Sequence, residues 1–169
     1  MEINFNDLFN KYKNNKLIIP IIYQLLDNNE EKKKIIKTFK NIYKFKNLNH
    51  QIIIKIILLL INAINIIANL PFILNKTMYK NKPSLHIIFS EATAQLISVI
   101  LFSEIFLYIL KLKTTSENKI KILKKINNIQ NNYNKKLIIV NNKIEIKNFY
   151  NDFINNIINL TKKLITILQ

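Results

Sequence analysis

The stretch Ile52–Leu74, IIIKIILLLINAINIIANLPFIL, decides how the chain is read. It is long enough for a bilayer, whose hydrocarbon core takes about 20 apolar residues in a helix. Its four polar interruptions are ordered. Lys55, Asn62 and Asn69 recur every seven residues, and Asn65 falls in the same stripe. Helical spacing puts all four on one face. Lipid cannot hydrogen-bond such a face, so it is expected to meet another helix, where amides find partners. The core helix of a soluble bundle with a wet stripe would show the same pattern.

A second apolar segment, Leu85–Leu110, behaves alike. Ala92 to Ser103 carries no charge, Glu91 and Glu104 bracket that run, and Lys111 and Lys113 close it. Lysines at such a boundary keep their stems in apolar surroundings and their ammonium groups in water. Glu91, Gln95 and Ser98 share a face at i, i+4, i+7. Ser90, Ala94 and Ser98 are small residues at spacing four, which lets a neighbouring helix approach closely. Glu104, near the opposite side, reads as an interfacial carboxylate reaching water, or as a partner contact or part of a proton path.

These segments predict an all-α membrane protein. Its centre, residues 51–112, is a two-helix transmembrane hairpin (52–74 and 85–110) between soluble, mostly helical arms at 1–50 and 113–169. The expected subunit contacts are Asn62, Asn65, Asn69, Glu91, Gln95 and Ser98, with Lys55, Lys111 and Lys113 at the lipid headgroups. Lysine is concentrated in both arms, and positive residues favour the side of synthesis. Both arms are therefore expected on the inner side, with the joint 75–84 outside.

The N-terminal arm reads as two short helices, near 5–26 and 29–46. Beyond Lys113, Thr115 or Ser116 caps a helix whose first turn holds Glu117. Ile122, Ile126, Ile129 and Tyr133 form a heptad-like seam, and Phe149, Phe153, Ile157, Leu160, Leu164 and Ile167 form another. Between them, Asn141-Asn142 and the alternation Ile144-Glu145-Ile146 fit a short β-hairpin at 137–147 and a continued helix equally.

Composition narrows the function. The 169 residues include 37 Ile, 28 Asn and 26 Lys, with no Arg, Gly, Cys or Trp. Ile, Asn and Lys have A/T-rich codons, so the gene is read as very A+T-rich, as in a reduced organelle or parasite genome. Much of the net charge of +16 is then mutational. Without Gly there is no glycine-rich phosphate loop, dinucleotide fingerprint or nucleophile elbow. Turns with positive φ must fall to Asn. Without Cys there is no disulfide, iron–sulfur cluster or thiol catalysis. Two His among few acids make a zinc site improbable. The first 30 residues hold Asp7, Asp27 and Glu30 and no long apolar core, so no secretory or import signal is expected. Synthesis inside an organelle would fit both facts. Catalysis is not expected.

The run Leu85-His-Ile-Ile-Phe-Ser-Glu91-Ala-Thr-Ala-Gln95, an apolar helix, and then Lys111-Leu-Lys113 resembles mitochondrial ATP synthase subunit b. The likeness covers about Ile52 to Lys113. It implies a non-catalytic peripheral-stalk anchor that holds the catalytic head against the rotor. It also implies no cofactor, the proton-channel and stalk subunits and membrane lipid as partners, and a multi-pass place in the mitochondrial inner membrane with both termini in the matrix. The chain departs from it in reach, since the 56 residues after Lys113 extend about 84 Å if fully helical. Three alternatives stand beside it. One is a lineage-specific structural membrane subunit of another organellar respiratory complex. Another is a basic organellar ribosomal protein using its lysines on phosphates. The third is a pore-forming or holin-like hairpin. Nucleic acid is not expected as a partner, because there is no Arg for bidentate or stacking contacts.

Overall fold

The computed structural model describes residues 5–25, 37, 48–71, 73, 75–79, 82–139 and 143–168. The described chain is mostly helical, as a glycine-free sequence rich in spaced Ile and Leu suggests. Its elements are α1 (Asn6–Tyr12), α2 (Ile18–Leu25), α3 (Leu48–Ala68), β1 (Met78–Tyr79), β2 (Lys82–Pro83), α4 (Leu85–Ile88), α5 (Glu91–Leu110), α6 (Ser116–Ile139) and α7 (Lys143–Ile167). They fall into two compact units: Met1–Lys44 with Leu58–Ile105, and Phe45–Ile57 with Phe106–Gln169.

In the first unit α1 and α2 replace the single helix expected near 5–26. The interruption is a local asparagine turn, with the Leu17 N–H donating to Asn15 Oδ1 across 2.9 Å. The helix expected at 29–46 lies outside the described residues, Lys37 excepted. The core of this unit is Leu58–Ile66 of α3 with Leu8, Ile21, Leu25, Ala94, Ile97 and Leu101, all buried. After α3 the chain turns at Asn75, whose φ of 45° is one that glycine would ordinarily supply. Its N–H donates to the Leu70 carbonyl across 3.1 Å. The joint then forms a small antiparallel pair, Met78 opposite Pro83 and Tyr79 opposite Lys82.

The second apolar segment is not one helix. It breaks at Phe89-Ser90, where Ser90 takes φ 130° and its Oγ accepts the Thr93 N–H at 3.2 Å. Serine serves better as a cap than as a helix interior, because its hydroxyl competes for backbone groups. α3 and α5 are each long and apolar enough to cross a membrane. They differ in burial: 83% of the most apolar window of α3 is covered by the protein, against 44% for α5. Of the stripe, Asn62 finds hydrogen-bonding partners within the chain, as shown below, whereas Asn69 Oδ1 is buried without one among the described residues.

In the second unit α6 and α7 pack antiparallel. Thr115 is the cap: its Oγ1 accepts the Asn118 N–H at 3.3 Å. The seam Ile122, Ile126, Tyr133 on α6 and Phe153, Ile157, Leu160, Leu164 on α7 is buried. Tyr133 and Phe153 meet edge to face with ring centroids 4.3 Å apart. The β-hairpin reading of 137–147 is corrected: α6 runs to Ile139 and α7 starts at Lys143. Short alternating apolar runs do not separate strand from helix, and here the long seams on either side decide. Residues 140–142, the expected turn, lie outside the described residues.

Candidate functional site

The three asparagines of the polar stripe, Asn62 and Asn65 in α3 and Asn69 just past its end, are buried, and Lys55 is half-buried. Asn62, Asn65 and Asn69 are 2%, 3% and 5% exposed. Asn62 accepts from Gln24 Nε2 at 3.2 Å and donates to the Leu58 carbonyl at 2.6 Å. From α5, Ser98 is buried and donates its hydroxyl to the Ala63 carbonyl of α3 at 3.2 Å. Glu91 and Gln95 share its helix but not its environment. Both are exposed, and the Gln95 amide donates to Glu91 Oε1 at 3.2 Å. Glu91 opens α5, where four backbone N–H groups lack intrahelical partners and the dipole favours an acid. The structure therefore brings Ser98 and Asn62 into one interior layer and leaves Glu91 and Gln95 on the surface.

Two further polar clusters in the first unit were not foreseen. Glu104 of α5 is buried and bound by α1: the Lys11 ammonium forms a salt bridge with it and the Tyr12 hydroxyl donates to it at 3.0 Å. The bond to Glu104 raises the Lys11 pKa, and burial first and then the same carboxylate raise that of Tyr12. Nothing local in the sequence marks this cluster, since its members lie more than 90 positions apart. Nearby in chain order, Tyr23 donates to the Pro83 carbonyl at 2.6 Å, and Lys82 returns a bond to the Tyr23 carbonyl at 2.9 Å. These tie α2 to the strand pair beside a water-sized cavity of about 10 Å³ lined by Gln24, Asn69, Ser84 and His86. Gln24 is the one part with a sequence signal, as a lone amide in the apolar run Ile18–Leu26.

In the second unit the expected headgroup lysines have specific places. Lys55 and Lys111 stand 5.3 and 4.8 Å from the centroid of the Tyr108 ring. Lys113 exchanges two backbone bonds with the Asn49 side chain, at 2.8 and 3.0 Å. A larger concavity lies between α6 and α7, about 310 Å³, the low end of ligand-pocket sizes. Its polar lining is Lys125, Asn128, Asn132, Asn156, Asn159 and Lys163, over Ile129, Tyr133 and Leu160. Burial pushes the Tyr133 phenol far up, so it stays protonated. The lining holds two cations, four amides and no carboxylate, an arrangement suited to an anion bearing hydrogen-bonding groups. The two stripes lie beside the predicted seams, but sequence reading stopped at the seams. Among the described residues no three or more His, Asp or Glu converge.

No family model matches the chain, and no curated protein matches it. A solved structure does: a geranyltransferase from Legionella pneumophila, with a TM-score of 0.71 at 16% identity, over 96% of this chain and 65% of that one. The chain thus spans about 65% of the length of that protein and is similar to it in fold. This overturns the peripheral-stalk function and the expectation of a non-catalytic chain, for the neighbour is an enzyme. The physical reason is that a helix with an apolar body and one polar stripe suits a membrane hairpin and the core of a helical enzyme alike.

Proposed function

We propose that the chain is a prenyl-transfer protein built on the geranyltransferase fold, acting on a geranyl-class isoprenoid. One observation carries this reading: the likeness extends over nearly the whole chain, with α3 and α5 inside it. A geranyl group is a branched hydrocarbon, and its transfer breaks a bond to an anionic leaving group such as diphosphate. The described helices supply the matching materials. The exposed apolar residues of α5 offer a hydrocarbon surface, and the lysine surplus of a chain with net charge +16 complements the leaving group. The test is equilibrium dialysis of the purified chain against radiolabelled geranyl diphosphate, followed by incubation with an isoprenoid acceptor and product extraction. Retained label and a lengthened product support the reading. The absence of both retained label and product would sink it.

A second reading has its own support. Leu96, Val99, Phe106, Leu107 and Leu110 leave α5 with exposed apolar residues along its length, while α3 is mostly covered. We infer that α5 also meets lipid, as in the transmembrane hairpin expected from the sequence. Extraction of membranes with alkaline carbonate decides this: release into the wash counts against lipid contact and retention supports it.

A further inference from the structure

We propose that the groove between α6 and α7 binds a small phosphorylated ligand with a hydroxylated body, a sugar phosphate in class, its phosphate held between Lys125 and Lys163. The site is argued from the groove alone and stands whether or not the chain handles geranyl groups.

Two contacts fix the register of the helices. Tyr133 meets Phe153, and the Asn118 side chain donates to the Ile167 carbonyl at 3.1 Å. With α6 and α7 antiparallel, Lys125 then lies level with Leu160. Lys163 stands three residues further toward Asn118, about 4.5 Å along the axis at 1.5 Å per residue. Both lysines therefore stand toward one end of the groove. Lys125, Asn128 and Asn132 follow i, i+3, i+7 spacing on α6, and Asn156, Asn159 and Lys163 repeat it on α7. The two stripes line one concavity from opposite sides.

Lys121, one turn before Lys125 on the same stripe of α6, pairs with Glu117 at 2.6 Å and does not line the groove. The groove lining contains no acid. Asp152, which after burial adds a lesser share to the raised Tyr133 pKa, is not part of that lining. Two like charges at one end of a concavity repel each other, and a bound anion turns that repulsion into attraction. A phosphate, with oxygens on several sides, can accept from both ammonium groups at once. The amides beyond them offer donors and acceptors together, which suits hydroxyl groups better than a hydrocarbon. The volume of about 310 Å³ admits one small ligand.

The experiment is calorimetric titration of the full chain with ribose 5-phosphate, and with inorganic phosphate and ribose as separate probes. The paired variants are Lys125→Gln/Lys163→Gln and the charge-matched Lys124→Gln/Lys162→Gln, whose lysines do not line the groove. Ribose 5-phosphate is expected to bind more tightly than phosphate, and ribose alone not to bind. The groove pair should weaken binding by about tenfold or more, the control pair by less than about twofold, as loss of charge-assisted bonds implies. Lys125→Arg/Lys163→Arg keeps the charge and should retain binding, which separates loss of the site from loss of the fold. Equal weakening by both Gln pairs would show diffuse attraction and overturn the proposal. So would absence of binding to the wild-type chain, or tighter binding of an oligoribonucleotide that the groove pair leaves unchanged.

Discussion

Gln24 donates its side-chain amide to Asn62 Oδ1 across 3.2 Å, so two buried residues join α2 to α3 within the first unit. Asn62→Leu removes the acceptor while Gln24 stays inside. The expected cost is about 1–3 kcal/mol, the range for a buried polar group that loses its partner. Gln24→Leu combined with Asn62→Leu removes both ends and should cost less than the sum of the single changes. Urea unfolding of the four proteins gives the coupling, and simple additivity would show that the pair contributes nothing jointly.

Breaking the Lys11–Glu104 salt bridge from the lysine side leaves Glu104 buried with Tyr12 as its remaining partner there. Loss of one member of a fully buried pair costs about 3–5 kcal/mol. The Lys11 side chain is 46% exposed, so solvent already screens the interaction. Lys11→Met is therefore expected to cost about 1–2 kcal/mol. A urea midpoint unchanged from wild type would contradict it.

Alkaline pH is expected to destabilise the fold. Lys11, Tyr12 and Tyr133 all have raised pKa values. For each, the folded state holds a proton that the unfolded chain releases earlier. The stabilisation is thus fully present at neutral pH. It falls as pH rises past the ordinary tyrosine value of 10.0 and the lysine value of 10.5 toward the raised values. Urea midpoints from about pH 8 to about pH 11 should fall at the upper end. Tyr133→Phe should flatten that fall more than Tyr12→Phe, because the Tyr133 shift is the larger. Identical slopes for wild type and Tyr133→Phe would reject the assignment.

At the start of α6, Thr115→Ala removes the hydroxyl that accepts the Asn118 N–H, with an expected cost of about 0.5–2 kcal/mol. For a chain of this size 1 kcal/mol lowers the melting midpoint by roughly 2–4 °C. Thr115→Asn keeps a capping oxygen and should stay near wild type. Equal melting of the Ala and Asn variants would show that the cap is not what holds this end.

The parts of the fold legible in the sequence are those set by local periodicity. The seams through Ile122, Ile126 and Tyr133 and through Phe153, Ile157 and Leu160 are helical and buried because their spacing demands one face. The Asn62/Asn65/Asn69 stripe turns inward for the same reason. Asn75 at positive φ follows from the absence of glycine. What periodicity cannot carry is identity of partner. Glu104 looked like an acid near an interface, yet it faces Lys11 and Tyr12, which no spacing rule connects to it. Glu91 and Gln95 shared a helical face with Ser98, but one face of a long helix can pass from surface to interior. The groove residues escaped notice because Asn and Lys fill so much of the chain that a meaningful stripe resembled the compositional background.

The 93 positions between Lys11 and Glu104 also set an order of events in time. During synthesis α3 emerges well before the segment of α5 that covers it through Ser98. Its run of Ile and Leu must then wait in water, where it is open to aggregation or capture by a chaperone. The α6–α7 hairpin closes over a far shorter stretch of chain and needs only local pairing to form its seam. In refolding, the α6–α7 hairpin is therefore expected to form ahead of the closure of α1 onto α5.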